Sequence, residues 1–146
     1  MSISPVVDEA ALTTHIFSLR VYYEDTDAGG IVYHANYLKF FERARTELLI
    51  ARGIGLTSIQ ARFKLSFVIK SVNLTYFLAA RLEDQLDVLT KLVKIGAASL
   101  VFEQSIYRAG EDVLLCSATV VVVVVNSALK PTPIPEALKQ ELKRER

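Results

Sequence analysis

The chain has 146 residues, with 17 Lys plus Arg set against 16 Asp plus Glu and a formal charge of +1. That length suits a single domain with one core, and so small a charge excludes strong sequence-independent attraction to a phosphate backbone, so nucleic acid is not expected as a partner. At 51% hydrophobic and 23% charged residues, the composition is that of a folded globular protein and not of a disordered one.

Read in chain order, the first nineteen residues hold Asp8 and Glu9 but no Lys or Arg, so a secretory leader is not expected. Ile16 to Tyr23 is rich in β-formers and reads as a first strand. The next stretch, EDTDAGGIVYHAN (residues 24–36), breaks both periodicities and reads as a loop. From Tyr37 to Arg52, the residues Tyr37, Phe41, Ala44 and Leu48 recur at helical spacing, with Phe40 and Leu49 widening the stripe. Gly53 suits the end of that helix, and a second short helical turn is expected within residues 53–63.

Four further strands are expected at roughly 64–78, 84–95, 98–109 and 113–125, joined by short reversals at Gly96 to Ala98 and at Arg108 to Asp112. In the third, Leu100, Phe102 and Ile106 share one face while Glu103, Ser105 and Tyr107 share the other. The six valines Val120 to Val125 are far short of the about 20 apolar residues a spanning helix needs and read as a buried strand, so no integral membrane segment is expected. Residues 130–146 read as a Pro-containing, charged C-terminal tail of the single 1–146 domain, with a short helix in EALKQELKRER. The order is therefore α+β: one strand, one long helix, then four antiparallel strands curved around that helix, with a sheet edge left for a second subunit.

Several chemistries are excluded by inspection, since no GxSxG, GxxxxGK[ST] or HExxH pattern occurs. Two histidines, His15 and His34, and a lone Cys116 offer too few ligands for a transition metal; that cysteine also cannot close a disulfide within the chain, which fits a reducing cytoplasm. What remains is the acidic loop. Asp27 precedes Gly29 and Gly30, which permit close backbone approach, and His34 stands where the helix begins. A helix N-terminus offers unpaired N–H groups that can hold the negative charge developing on a carbonyl oxygen during acyl transfer. A carboxylate nearby can attack that carbonyl or take a proton from the water that does. The same residues also suit a plain structural role, since acidic residues often cap helices and glycines often serve only as turns.

The run YYEDTDAGGIVYHANY (residues 22–37) resembles the signature of the hotdog-fold acyl-CoA thioesterases of the 4-hydroxybenzoyl-CoA thioesterase type. Through DTDAGGIVYHANY and FFERARTELL it is similar to the bacterial subgroup called YbgC, which is linked with the Tol-Pal envelope system. YFLAARLED and KPTPIP extend the likeness over most of the chain, with Ala79 standing where that subgroup usually has proline. The resemblance implies a hotdog fold, a five-stranded antiparallel sheet wrapped around one long helix. It also implies thioester hydrolysis with no metal and no separate cofactor, CoA being part of the substrate.

On the same ground Asp27 is the expected nucleophile or general base and the His34 N–H the donor to the thioester oxygen. Gly29, Gly30, Ile31 and Tyr33 complete the oxyanion and substrate loop. Active sites are implied at a homodimer interface, two dimers commonly forming a tetramer, with an acyl carrier protein as a second carrier of the acyl group. Lys70, Arg81 and Lys130 are the cations placed to meet a CoA phosphate, or else are solvated surface. The His34 side chain either orients Asp27 or water, or simply packs in the loop. Asp25 reads as a loop-shaping acceptor and Glu24 as solvent-facing. Glu42 and Glu47 matter because another hotdog branch carries its acid in the helix, although Glu47 also stands at pairing distance from Arg43. Two other functions stay open: a hotdog hydratase or dehydratase using His34 with a helix acid, and a non-catalytic module binding acyl-CoA or an acyl carrier in envelope assembly.

Overall fold

Tyr37, Phe40, Phe41, Ala44, Leu48 and Leu49 form the buried face of helix α1 (Tyr37–Ala51) in the computed structural model, which describes residues 14–144. These are the six positions of the predicted stripe, and each large apolar side chain among them contributes about 1.5–3 kcal/mol by leaving water. Gly53 ends the helix at φ 79°, and the Ile54 N–H turns back to the Leu49 carbonyl at 3.0 Å. Helix α2 (Leu56–Phe63) follows as expected, closed by Lys64 in the left-handed conformation.

Five antiparallel strands complete the layer: β1 (His15–Arg20), β2 (Ser66–Tyr76), β3 (Gln85–Ile95), β4 (Ser99–Arg108) and β5 (Leu114–Val125). Their order in the sheet is β1-β3-β4-β5-β2, so β1 and β2 are its two edges. This is the expected α+β arrangement, one sheet laid against one long helix. Its inner face carries Leu86, Val88 and Leu92 of β3, Leu100, Phe102 and Ile106 of β4, and Val120, Val122 and Val124 of β5, all buried. A polar tie joins the layers. Buried Gln104 donates to the Phe41 carbonyl at 3.0 Å and to Thr90 Oγ1 at 2.9 Å, and accepts from Arg45 at 2.9 Å. With its amide satisfied on both sides, Gln104 fixes the helix against β3 and β4 at little desolvation cost.

The first strand stops earlier than its β-rich sequence predicts. Tyr22 and Tyr23 leave the ladder because the Asp25 carboxylate takes the Tyr22 N–H at 2.8 Å and residues Tyr23–Asp25 wind into a 3-10 turn. Local capture of a backbone donor by an Asp side chain outcompetes strand propensity here. In β2, a bulge leaves Lys70 without a partner in β5, and Ile69 and Val72 consequently face the same inner side.

The charged C-terminal stretch is amphipathic. Ile134 N–H reaches the Ala97 carbonyl at 2.8 Å, and α3 (Glu136–Leu142) buries Leu138 and Leu142 completely. Arg52 caps the end of α3 through the Leu142 carbonyl at 2.9 Å, and Arg62 pairs with Glu141 at 2.7 Å. Solvation therefore applies to its polar face alone, because Leu138 and Leu142 at i, i+4 supply a second, apolar face.

Candidate active site

Residues 25–33 fold into a miniature hairpin that leads straight into α1. The Asp27 N–H donates to the Ile31 carbonyl at 2.9 Å, Thr26 bridges Val32, and the Tyr33 N–H donates to the Asp25 carbonyl at 3.0 Å. At its tip the Gly30 N–H returns to the Asp27 carbonyl at 3.1 Å, with Gly30 at φ 79°, a conformation that a side chain would strain. Asp27 is exposed there, and its Oδ1 accepts the Gly29 N–H at 2.8 Å. A Cβ on Gly29 would stand 3.2 Å from that oxygen, so glycine at this position keeps the carboxylate seated.

Asp25 plays the loop-shaping part predicted for it. It is 7% exposed, and besides the Tyr22 N–H it accepts the Asn36 side-chain amide at 2.9 Å. Asn36 closes the 3-10 turn His34–Asn36 that runs into α1, so the Asp25–Asn36 bond staples the acidic loop to the helix entrance. Both Asp25 oxygens are thus engaged, one by the Tyr22 N–H and the other by the Asn36 amide. Glu24 is exposed, as expected.

The His34 amide is the first of the helical turn, and among the described residues no acceptor takes its hydrogen. Its carbonyl is held from the other side, by the Tyr76 hydroxyl at 2.6 Å. Tyr37 sits between these groups and the core. Its hydroxyl accepts the Ala80 N–H at 3.0 Å, while the Ala80 carbonyl accepts the Val32 N–H at 2.9 Å, so the hairpin is clamped to the segment after β2. Burial raises the Tyr37 phenol above the ordinary tyrosine range, raises Tyr76 in the same direction, and pushes the Cys116 thiol up to about 12. The His34 ring lies against Tyr33, with centroids 4.7 Å apart, and makes no hydrogen bond to Asp27 among the described residues.

The hairpin gathers Asp27, Gly29, Gly30, Ile31, Tyr33 and His34 into one place. Of the three cations, only Arg81 adjoins it, through a bridge to Ile31. Exposed Lys70 sits in the β2 bulge, and Lys130 lies in a turn closed by Asn126 beyond the end of β5. Glu42 and Glu47 are exposed on α1, and no ion pair joins Glu47 to Arg43 among the described residues. Sequence reasoning missed the positioning roles of Asn36, Tyr37 and Tyr76. It also missed Arg108, which holds the Ala79 carbonyl at 3.2 Å and Asp84 at 3.2 Å, fixing the turn where the similar subgroup has proline. The segment HANY carried a local signal for Asn36 and Tyr37; Tyr76 and Arg108 carried none, because their partners lie 42 and 29 residues away.

Residues 21–142 match the family model described as thioesterase-like superfamily. The chain is 44% identical over 124 residues to the acyl-CoA thioesterase YbgC of Haemophilus influenzae, covering 84% of this chain and 90% of that protein. It is 42% identical over 127 residues to the acyl-CoA thioester hydrolase YbgC of Escherichia coli, covering 86% and 93%. Among solved structures, the probable thioesterase of Bartonella henselae superposes with a TM-score of 0.79 at 32% identity, covering 84% of this chain and all of that one.

Proposed function

The chain belongs to the thioesterase-like superfamily, and from that premise we propose that it hydrolyses acyl-CoA thioesters to a free carboxylic acid and CoA. The observation that carries the reading is the His34 N–H, without an acceptor at the mouth of a helix, beside a closed turn that presents Asp27. In the reaction so assigned, the thioester oxygen rests on the His34 N–H and the positive end of the helix. Negative charge gathers on that oxygen as the carbonyl carbon is attacked. Loss of one such donor costs about 2.7–4 kcal/mol of barrier in comparable sites.

Asp27 acts in one of two ways. Its free oxygen bonds to the carbonyl carbon and the C–S bond breaks, giving CoA thiolate and a mixed anhydride that water then cleaves; or it takes a proton from the water that attacks. A single turnover in ¹⁸O-water identifies the anhydride when water cleaves it at the Asp27 carboxyl carbon, since the label then enters Asp27 and the first product acid leaves with an unlabelled Asp27 oxygen. Neither route uses a metal or a separate cofactor.

The unpaired β2 edge is the seam we assign to a homodimer, with a tetramer as its doubled form. A cytoplasmic location is proposed on the lone Cys116, and a connection to Tol-Pal on the resemblance to the YbgC subgroup; among the described residues no helix is long and apolar enough to cross a membrane. The test is a panel of acyl-CoA and acyl-carrier thioesters, short, long and aromatic, read by release of free thiol. Turnover on some member supports the reading. Saturable binding without turnover across the whole panel, or hydration of enoyl-CoA in place of cleavage, overturns it.

A further inference from the structure

The acidic hairpin is bounded at both ends by one short segment, residues 79–84, the last part of the connection from β2 to β3. At the entry to the hairpin the Val21 N–H donates to the Asp84 carbonyl and the Glu83 N–H to the Val21 carbonyl, both at 2.9 Å. At its exit the Val32 N–H donates to the Ala80 carbonyl at 2.9 Å, Ile31 bridges Arg81, and the Ala80 N–H donates to the hydroxyl of Tyr37, the first residue of α1, at 3.0 Å. The loop that presents Asp27 and the His34 N–H therefore takes its position from these residues at both of its ends.

The segment belongs to none of the five strands, and it contains Glu83 at φ 71°, a conformation that persists for a residue with a side chain only where its surroundings over-determine it. Part of that constraint is local: Asp84 Oδ2 accepts the Arg81 N–H at 2.9 Å, and the Asp84 N–H returns to the Arg81 carbonyl at 3.0 Å. The rest comes from outside. Arg20 donates to the Glu83 carbonyl at 2.9 Å from an exposed position. Arg108 does more, because its Nε donates to Asp84 Oδ2 at 3.2 Å and its Nη2 to the Ala79 carbonyl at 3.2 Å, so one guanidinium grips the first and the last residue of the segment together.

Arg108 has a firm base for this. It is the last residue of β4, in register with Leu86 of β3, and the Arg108 and Asp84 side chains are 24% and 21% exposed, so salt screens the pair less than one at the open surface. Exposed Glu111 stands farther off, at 3.7 Å. A planar guanidinium can hold a carbonyl and a carboxylate at once in a fixed geometry, which an ammonium on a flexible stem cannot.

We propose that Arg108 is a positioning residue for thioester hydrolysis: by holding Ala79 and Asp84 together it sets the segment on which the Asp27 loop is hung, while forming no hydrogen bond to Asp27 or His34 itself. This rests on the thioesterase reading above and adds to it a residue of the sheet outside the acidic loop. Catalytic geometry is sensitive to such support, since a displacement of about 1 Å at the reacting groups costs about 10²-fold in rate.

The test is Arg108→Met, which keeps an unbranched stem and removes the donors, assayed on the acyl-CoA that the wild type turns over best. The proposal expects kcat to fall about tenfold, by more than KM rises, and Arg108→Lys, which keeps a cation beside Asp84, to recover part of that loss. Amide hydrogen exchange followed by NMR supplies a readout that general destabilisation would not give: the Val21 and Val32 N–H groups exchange faster in Arg108→Met, while those of Leu48 and Leu49 in α1 keep their wild-type protection. A kcat within about twofold of wild type in folded Arg108→Met overturns the proposal, as does faster exchange shared equally by Val21, Val32, Leu48 and Leu49. Should Arg108→Met fail to fold, Asp84→Asn, which removes the charge that Arg108 meets, repeats the experiment with the same pattern at smaller amplitude and the same grounds for rejection. Failure of the underlying reading is distinct, since wild-type protein would then turn over no thioester at all.

Discussion

Replacing Asp25 by alanine isolates what holds the acidic loop on the helix. The carboxylate, 7% exposed, accepts the Tyr22 N–H at 2.8 Å and the Asn36 amide at 2.9 Å. Tyr22 is exposed, so water reclaims its N–H after the change, and the loss there is limited to about 1 kcal/mol. Asn36 is also 7% exposed and would keep a buried, unpaired amide, a penalty of about 1–3 kcal/mol. Together these give a destabilisation of about 3 kcal/mol, or about 10 °C in Tm for a chain of this size. Urea and thermal unfolding followed by circular dichroism at fixed protein concentration would measure it. Asn36→Ala and the double variant complete a cycle whose coupling should be about 1–2 kcal/mol. A loss under about 1 kcal/mol in Asp25→Ala, with additive effects in the cycle, would refute the staple.

Gly29→Ala tests the seat of Asp27 without touching the core: a Cβ 3.2 Å from Asp27 Oδ1 forces a shift of a few tenths of an ångström, so kcat should fall about tenfold while Tm holds. Leu138→Ala, at a fully buried position, should cost about 2–5 kcal/mol in urea unfolding, showing that α3 belongs to the core. Burial holds the Cys116 thiol at about 12 against an ordinary 9.0, so the folded state keeps a proton that the unfolded chain releases. Its stabilising contribution is therefore complete below pH 9 and declines as pH rises toward 12, with a slope of up to about 1.4 kcal/mol per pH unit that Cys116→Ala should abolish in alkaline unfolding curves.

Helical and strand periodicity made the architecture legible, because the positions that must be buried announce themselves: the six residues of the α1 stripe and the alternating face of β4 lie where their spacing put them. The acidic loop was legible for a different reason, its chemistry being packed into eleven consecutive residues, Asp25 to Ala35, that include both aspartates, both glycines and His34. What escaped was long-range. Tyr76 reaches His34 across 42 residues and Arg108 reaches Ala79 across 29, and no local pattern marks either meeting. The end of β1 was misplaced because a single Asp25 side chain redirects the Tyr22 N–H, a competition that β propensity does not register. Leu138 and Leu142 were present as an i, i+4 pair, but the charges around them dominated the reading of the terminus.

In the proposed reaction Asp27 carries the chemistry, while Asp25 holds the loop on the helix. The direct measurement is kcat of Asp27→Asn on the best thioester of the panel, in protein whose mass and unfolding midpoint match wild type. The expected result is a fall of about 10²–10⁴-fold, with stability changed by no more than about 0.5 kcal/mol, as befits an exposed side chain. Undiminished kcat in that folded assembly would mean that Asp27 takes no part in the reaction.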